Sequence, residues 1–409
     1  MFYGWYVVGA SCLISLYVSG SIYLGFTAAF EPIANEFGWS YTQVSFAASL
    51  RGFEVGLLVP IAGMLMDRWG PRRLVFGGVI LSGLGLMLLS RINSLTMFYA
   101  SFILISTGVS TATTTLLMTV VANWFRKKVG LAMGIAASGV SFGGLLIPFV
   151  TGIIDTFGWR QAMVIMGLGM WVIPLPLSFL LRHKPEQYGY LPDGEDYRSV
   201  LDDNHSRPKT GEEVNVRAKE ALTSWTFWII ATAFLCQILP VSAVNTHIMP
   251  YLSSIGIARS TSSFIASALP LLTVIGRVGF GWFGDRVDKR RVAALALALT
   301  SLGVLILGYT SAGRNWVIMA FIIVFGIGWG GAVPMLSGLL RDYFGRERLG
   351  TIVGFAGSVM MVGMITGAPF AGWVFDQRGD YQLAWFILAG VAGVATILFW
   401  AFLKKNTAQ

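Results

Sequence analysis

Arg277 stands inside a run from Ser267 to Phe283 that otherwise carries no charge and has the apolarity of a membrane span. A cation in hydrocarbon is costly unless something compensates it, so an intramembrane Arg marks a functional site by default. Its guanidinium is planar, permanently charged and shaped to grip a carboxylate through two parallel hydrogen bonds. The apolar spans of the same half, as bounded below, contain no Asp or Glu. An anion that arrives and leaves is therefore a natural counter-ion, and the chemistry indicated is carriage of a carboxylate. Candidate hydrogen-bonding groups for such a cargo are Thr273, one helical turn before Arg277, and Asn245 and His247 near the end of an earlier span. Thr114 in a Thr-rich span and Tyr23 in the first span complete the set.

Proton chemistry has three candidate seats. Glu54 is the acid placed well inside a span, thirteen residues before Asp67 and so roughly 20 Å from that end at a 1.5 Å rise. Arg51 shares its helical face at i and i+3, so the pair either neutralises itself or lets Glu54 carry a proton through a cycle. His247 is the second seat, because imidazole ordinarily titrates nearest neutrality. The third is the cargo's own carboxyl group.

These side chains must be held by membrane helices. Hydrophobic residues make up 55% of the chain, charged residues 12%, and the mean hydropathy is +0.69. That composition belongs to a polytopic membrane protein rather than a soluble domain. Apolar stretches long enough to span a bilayer occur twelve times, at about 5–30, 42–66, 74–90, 96–123, 131–155, 160–181, 226–252, 261–283, 292–310, 316–340, 350–375 and 382–403. They lack the period-two alternation of a membrane β-barrel. The first lacks a basic flank and a small-residue cleavage site and reads as a retained span. Cys12 and Cys236 both fall inside spans, which implies no disulfide framework.

The net charge of +9 reports topology rather than a nucleic-acid partner. One set of loops holds Arg68, Arg72, Arg73, Arg126, Lys127, Lys128, Arg286, Lys289, Arg290, Arg291, Arg341, Arg346, Arg348, Lys404, Lys405 and the basic residues of 182–222. The opposite set holds Arg91, Arg160, Arg259, Arg314 and Arg378. Basic residues mark the cytoplasmic side, so both termini are expected there. The long polar stretch 182–222 reads as a cytoplasmic linker between an N-terminal six-helix bundle, 1–181, and a C-terminal one, 223–409.

The halves repeat. Gly63-Met64-Leu65-Met66-Asp67-Arg68-Trp69-Gly70-Pro71-Arg72-Arg73 between spans 2 and 3 returns as Gly281-Trp282-Phe283-Gly284-Asp285-Arg286-Val287-Asp288-Lys289-Arg290-Arg291 between spans 8 and 9. The loop resembles the G-x-L-x-D-R-x-G-R-R/K signature of the major facilitator superfamily. The resemblance implies an all-α membrane fold of twelve transmembrane helices in two pseudo-symmetric bundles, working by alternating access. It also implies that Asp67, Arg68, Arg72 and Arg73, with Asp285, Arg286, Arg290 and Arg291, form cytoplasmic gating latches.

Two further stretches, Tyr3-Gly4-Trp5-Tyr6-Val7-Val8 and Trp124 to Gly143, are similar to signatures of the monocarboxylate transporter family and its bacterial relatives, including oxalate/formate antiporters. The second carries a strip of small residues, Gly130, Gly134, Ser138/Gly139 and Gly143, suited to close helix packing. In the superfamily, helix 5 packs against helix 8, so the strip is expected beside the segment carrying Arg277. Arg277 falls where the family places the Arg that holds the substrate carboxylate. Three departures stand out: Thr273 replaces the family's Asp, the first span lacks its Lys, and the eleventh span has no second cation. A single buried cation favours a monoanion over a dicarboxylate.

The sequence thus points to a secondary transporter of small organic monocarboxylates, lactate- or pyruvate-like, coupled to protons by symport. Proton-antiport efflux, oxalate/formate-type exchange and a non-transporting carboxylate sensor are the alternatives. The Walker G-x-x-x-x-G-K-[ST] motif is absent, and the residues suggest neither an enzyme nor a cofactor or metal. The expected partners are a carboxylate, protons and the lipid bilayer. The expected setting is a monomer in the plasma membrane, specifically a bacterial inner membrane.

Overall fold

A computed structural model describes residues 2–53, 58, 61–62, 65, 68–111, 114–125, 128–182, 185–188, 218–284, 286–311, 313–345 and 349–403. Those residues form helices and the turns between them. The main helices are α1 Gly4–Phe37, α2 Tyr41–Phe53, α3 Pro71–Ser90, α4 Leu95–Ser110, α5 Leu131–Phe157 and α6 Trp159–Ser178. They continue with α7 Trp225–Ser254, α8 Arg259–Gly284, α9 Lys289–Gly308, α10 Asn315–Phe344, α11 Leu349–Arg378 and α12 Gln382–Phe402. A stretch Thr114–Trp124 follows α4. All but α2 and α4 are long and apolar enough to cross a membrane. Those two belong to the expected spans 42–66 and 96–123, both interrupted by residues outside the described set. This is a multi-pass membrane protein.

Several helices run past their apolar stretches. α1 reaches Phe37 rather than residue 30, α10 reaches Phe344 and α11 reaches Arg378. A 30-residue helix such as α11 is roughly 45 Å long, well beyond a hydrocarbon layer of about 30 Å. Its ends must tilt or project toward water. This extension puts Glu31, Asp342 and Asp376 on helices, where the hydropathy pattern left them outside.

The chain forms two compact units that do not follow the six-and-six division of the sequence: Met1–Gly25 with Leu57–Glu212, and Phe26–Gly56 with Glu213–Gln409. In the first unit α1 lies backbone to backbone against α5. A Cβ on Gly139 would sit 2.2 Å from the Cys12 carbonyl oxygen, so only glycine permits that approach. The small-residue strip is therefore divided. Gly139 and Gly143 seat α1, while Gly134 borders open space. Ser19 Oγ donates to Val140 O at 3.0 Å, and Tyr17 Oη donates to Met166 O at 3.0 Å on α6. Here α1 loosens into a π-helix over Ser19–Leu24, and the chain leaves the first unit directly afterwards.

The first unit also brings together the two stretches that carry the narrower resemblance. Tyr3 and Trp124 rings lie 5.3 Å apart, Trp5 and Phe125 5.0 Å, and Phe2 contacts both Trp124 and Phe125. Trp124 is fully buried, and its indole N–H donates to Arg182 O at 2.8 Å. The Arg182 guanidinium lies 3.9 Å over the Tyr3 ring. Aromatic packing thus ties the start of α1, the end of Thr114–Trp124 and the residues after α6 into one cluster.

In the second unit α7 to α12 share an apolar core that includes Phe227, Phe234, Leu297, Met335, Leu339 and Phe399. Ser224 caps α7 by accepting from Phe227 N, and Asp288 caps α9 by accepting from Arg290 N. Residues 26–53 pack in the same unit, against α7 and α11.

Candidate functional site

Arg277 lies seven residues before Gly284, the last residue of α8, or roughly 10 Å inside that end. Thr273, Gly276, Phe280 and Gly284 form the buried face of α8, while Ile275, Val278 and Trp282 are exposed. The buried face meets α10 at backbone contact. A Cβ on Gly276 would lie 2.3 Å from Ile327 O, and one on Gly330 would lie 2.2 Å from Thr273 O. Arg277, half-buried, sits at the border of this face. Its Cα is therefore positioned by a rigid helix pair rather than a loop, as a precise charged site requires.

Thr273, expected at the cargo, turns instead into the helix pair. It is 1% exposed, and its hydroxyl donates to Pro270 O at 2.6 Å. The close approach of Gly330 on α10 to the Thr273 backbone puts it on the face that α10 covers. The sequence showed the spacing but not which face was taken.

His247 is likewise committed inside the fold. It is 0% exposed. Nε2 lies 2.9 Å from both Ala368 O and Ser45 Oγ, and Nδ1 lies 2.9 Å from Tyr381 Oη. A carbonyl only accepts, so Nε2 carries the proton and Nδ1 accepts from the tyrosine in the neutral ring. The Ser45 hydroxyl donates to Tyr41 O at 2.5 Å and leaves a lone pair for Nε2–H. The Phe30 ring packs edge-on against the imidazole at 4.9 Å. A histidine so enclosed joins α2, α7 and α11 and offers no face to a cargo in this structure.

Asn245, two residues earlier on α7, is half-buried, and Tyr23 is half-buried in the π-helical stretch of the other unit. Glu54, Asp67 and Asp285 lie outside the described residues, as do the side chains of Arg51 and Thr114.

Of the gating candidates, Arg68 and Arg73 are exposed, and Arg72 lies 4.7 Å over the Phe179 ring. Arg286 folds back over Trp282 at 3.9 Å. Arg290 donates to Trp400 O and lies over that ring. Among the described residues, an ion pair in this region falls on a residue the repeat did not single out. Lys289 Nζ reaches both oxygens of Asp342 at 2.7 and 2.8 Å, joining the start of α9 to the end of α10.

Sequence reasoning also missed a polar cluster around α2. Glu31 contacts Arg259 at 4.0 Å. Asp376 accepts from Tyr41 N and Thr42 N, both at 2.8 Å. A local signal existed: Ser40 and Gln43 bond reciprocally as an S-x-x-Q capping box that marks the start of α2.

A cavity of about 830 Å³ lies between α7 and α12, lined by Trp225, Trp228, Cys236, Val391, Val394 and Leu398 among others. Its lining is almost wholly apolar and lacks a cation to hold a carboxylate, so it is a surface groove rather than a cargo site.

The family model described as Major Facilitator Superfamily matches residues 10–258 and 242–409. The chain is similar to monocarboxylate transporter 12 of Xenopus laevis, 25% identical over 402 residues, covering 95% of this chain and 86% of that one. It is similar to monocarboxylate transporter 13 of Bos taurus, 26% identical over 401 residues, covering 95% and 86%. Monocarboxylate transporter 2 of Homo sapiens is 24% identical over 408 residues, covering 97% and 84%. The crystal structure of a D-xylose-proton symporter shares the fold, with a TM-score of 0.74 at 14% identity over 100% of this chain and 99% of that one.

Proposed function

Because the chain belongs to the major facilitator superfamily, we propose that it is a secondary transporter of small organic monocarboxylates, coupled to protons by symport and working through alternating access. Arg277 carries this reading: a guanidinium within a membrane helix, held by the α8–α10 contact, in a chain similar to monocarboxylate transporters. It anchors the carboxylate by a bidentate pair. Asn245, Tyr23 and Thr114 supply hydrogen bonds to the rest of the cargo. Thr273 and His247 are already bonded within the fold and receive no cargo contact. The proton travels on Glu54 or on the cargo carboxyl. Asp67 with Arg68, Arg72 and Arg73, and Asp285 with Arg286 and Arg290, act as latches on the cytoplasmic side of a plasma membrane, where both termini lie. The carrier works as a monomer, needs no cofactor and catalyses no covalent chemistry.

The test is uptake of labelled monocarboxylates into proteoliposomes, with and without an imposed pH gradient. Truncating one partner of a buried charged pair costs about 2 kcal/mol or more, so Arg277→Ala should slow uptake about 30-fold or more. Arg277→Lys should restore part of it, keeping charge but losing the fork. Undiminished uptake by well-inserted Arg277→Ala protein would remove Arg277 from the site.

A further inference from the structure

Three levels of contact hold residues 26–53 on the C-terminal helices within the second unit. At the top, Asp376 of α11 accepts from Tyr41 N and Thr42 N at 2.8 Å and from Thr42 Oγ1 at 2.5 Å. The first amides of a helix lack partners in their own helix and carry partial positive charge. Ser40 and Gln43 already satisfy the next amide, Gln43 N, through the local capping box. Asp376 therefore completes a helix start borrowed from the other end of the chain. Beneath it, Tyr41 stacks on Phe375 at 4.3 Å, and Ser45 meets His247. Gly372 lets α2 and α11 cross closely, since a Cβ there would lie 2.8 Å from Tyr41 O. On the α1 side, Arg259 donates to Ala28 O at 2.5 Å and faces Glu31, and Met249 N donates to Thr27 Oγ1 at 3.3 Å.

This α2–α11 contact is fastened by hydrogen bonds and charge rather than by apolar packing alone. Hydrogen bonds exchange for bonds to water at small net cost, so such a fastening can release. We propose that Asp376 is a positioning residue for the transport cycle: it latches α2 to α11 at the end of the carrier opposite the basic loops, and its release opens that end to solvent. The proposal rests on the alternating-access reading, since a latch needs a state in which it is undone. A ligand that favours one state shifts the balance only by its differential interaction, and Asp376 supplies such a difference to the closed state.

The experiment needs no cargo. In a Cys12→Ala, Cys236→Ala background, two single-cysteine reporters are compared in purified protein by maleimide labelling. Ala48→Cys reports on α2 below the latch, where the native side chain is 8% exposed. Ala293→Cys reports on α9, where it is 0% exposed. Asp376→Ala should raise labelling of the first about tenfold, equal to ~1.4 kcal/mol of closed-state bias, and leave the second within about twofold. Asp376→Glu should return labelling toward the parent rate. Unchanged labelling at position 48 overturns the proposal. So does a parallel rise at both reporters, which would make Asp376 a support of the whole fold. If Asp376→Ala yields no folded protein, Thr42→Val, which removes a single latch bond, is read instead. A rise of about twofold at position 48 alone supports the latch, and no rise overturns it. A carboxylate panel that finds no cargo would refute the substrate reading and leave this labelling result intact.

Discussion

Gly330→Ala should move Arg277 without touching it. The added Cβ would lie 2.2 Å from Thr273 O, 2.6 Å from Thr273 Cα and 2.8 Å from Thr273 C. All three are backbone atoms of α8 and cannot rotate away. Ordinary contact needs about 3.5 Å, so α8 and α10 must part by roughly 1 Å at this level. Overpacking of this kind typically costs about 1–3 kcal/mol. Thr273 is one helical turn from Arg277, so the displacement reaches the guanidinium's base. A misplacement of about 1 Å can cost on the order of 100-fold in a reaction that depends on positioning. The assay pairs thermal stability of the purified carrier with labelled-carboxylate uptake. Gly279→Ala is the matched control, because a Cβ at Gly279 meets nothing within 4 Å. Glycine to alanine in an open helical position is stabilising by about 0.5–1 kcal/mol, so this variant should be neutral or slightly more stable. Parent-like stability and uptake in Gly330→Ala would refute the reasoning, as would equal damage from Gly279→Ala.

Lys289→Ala and Asp342→Ala should each lower thermal stability, and the double variant should lose less than the sum. A double-mutant cycle should return a coupling of about 1 kcal/mol, the upper range for a pair each a quarter exposed, and additivity would remove the pair. Trp124→Ala should cost about 3–5 kcal/mol as a fully buried indole is lost, read as a large drop in folded yield, with Trp124→Phe recovering part of it. A parent-like yield of Trp124→Ala would dissolve the proposed tie between the start of α1 and the end of Thr114–Trp124.

What the sequence settled by itself is what depends on one dimension. Hydropathy places a helix in the membrane whatever its neighbours are, so the spans, the repeated loop and the depth of Arg277 along α8 could be read from residue order. Facing was another matter. Thr273 and Arg277 are one turn apart on the same helix, yet α10 covers the threonine and stops at the arginine's edge, a choice made by glycines at 276 and 330 meeting another backbone. His247 looked like a free titratable group until Ser45, Ala368 and Tyr381 supplied its partners, the first of them 202 residues away. Asp376 fell just beyond the eleventh apolar span, and only the fold set it against an α2 start 335 residues earlier. Hydrogen bonds act over about 3 Å, and nothing in residue order says which distant amide will come within that range. The sequence could place each charge at its depth, and the packing of helix against helix decided which of them meet.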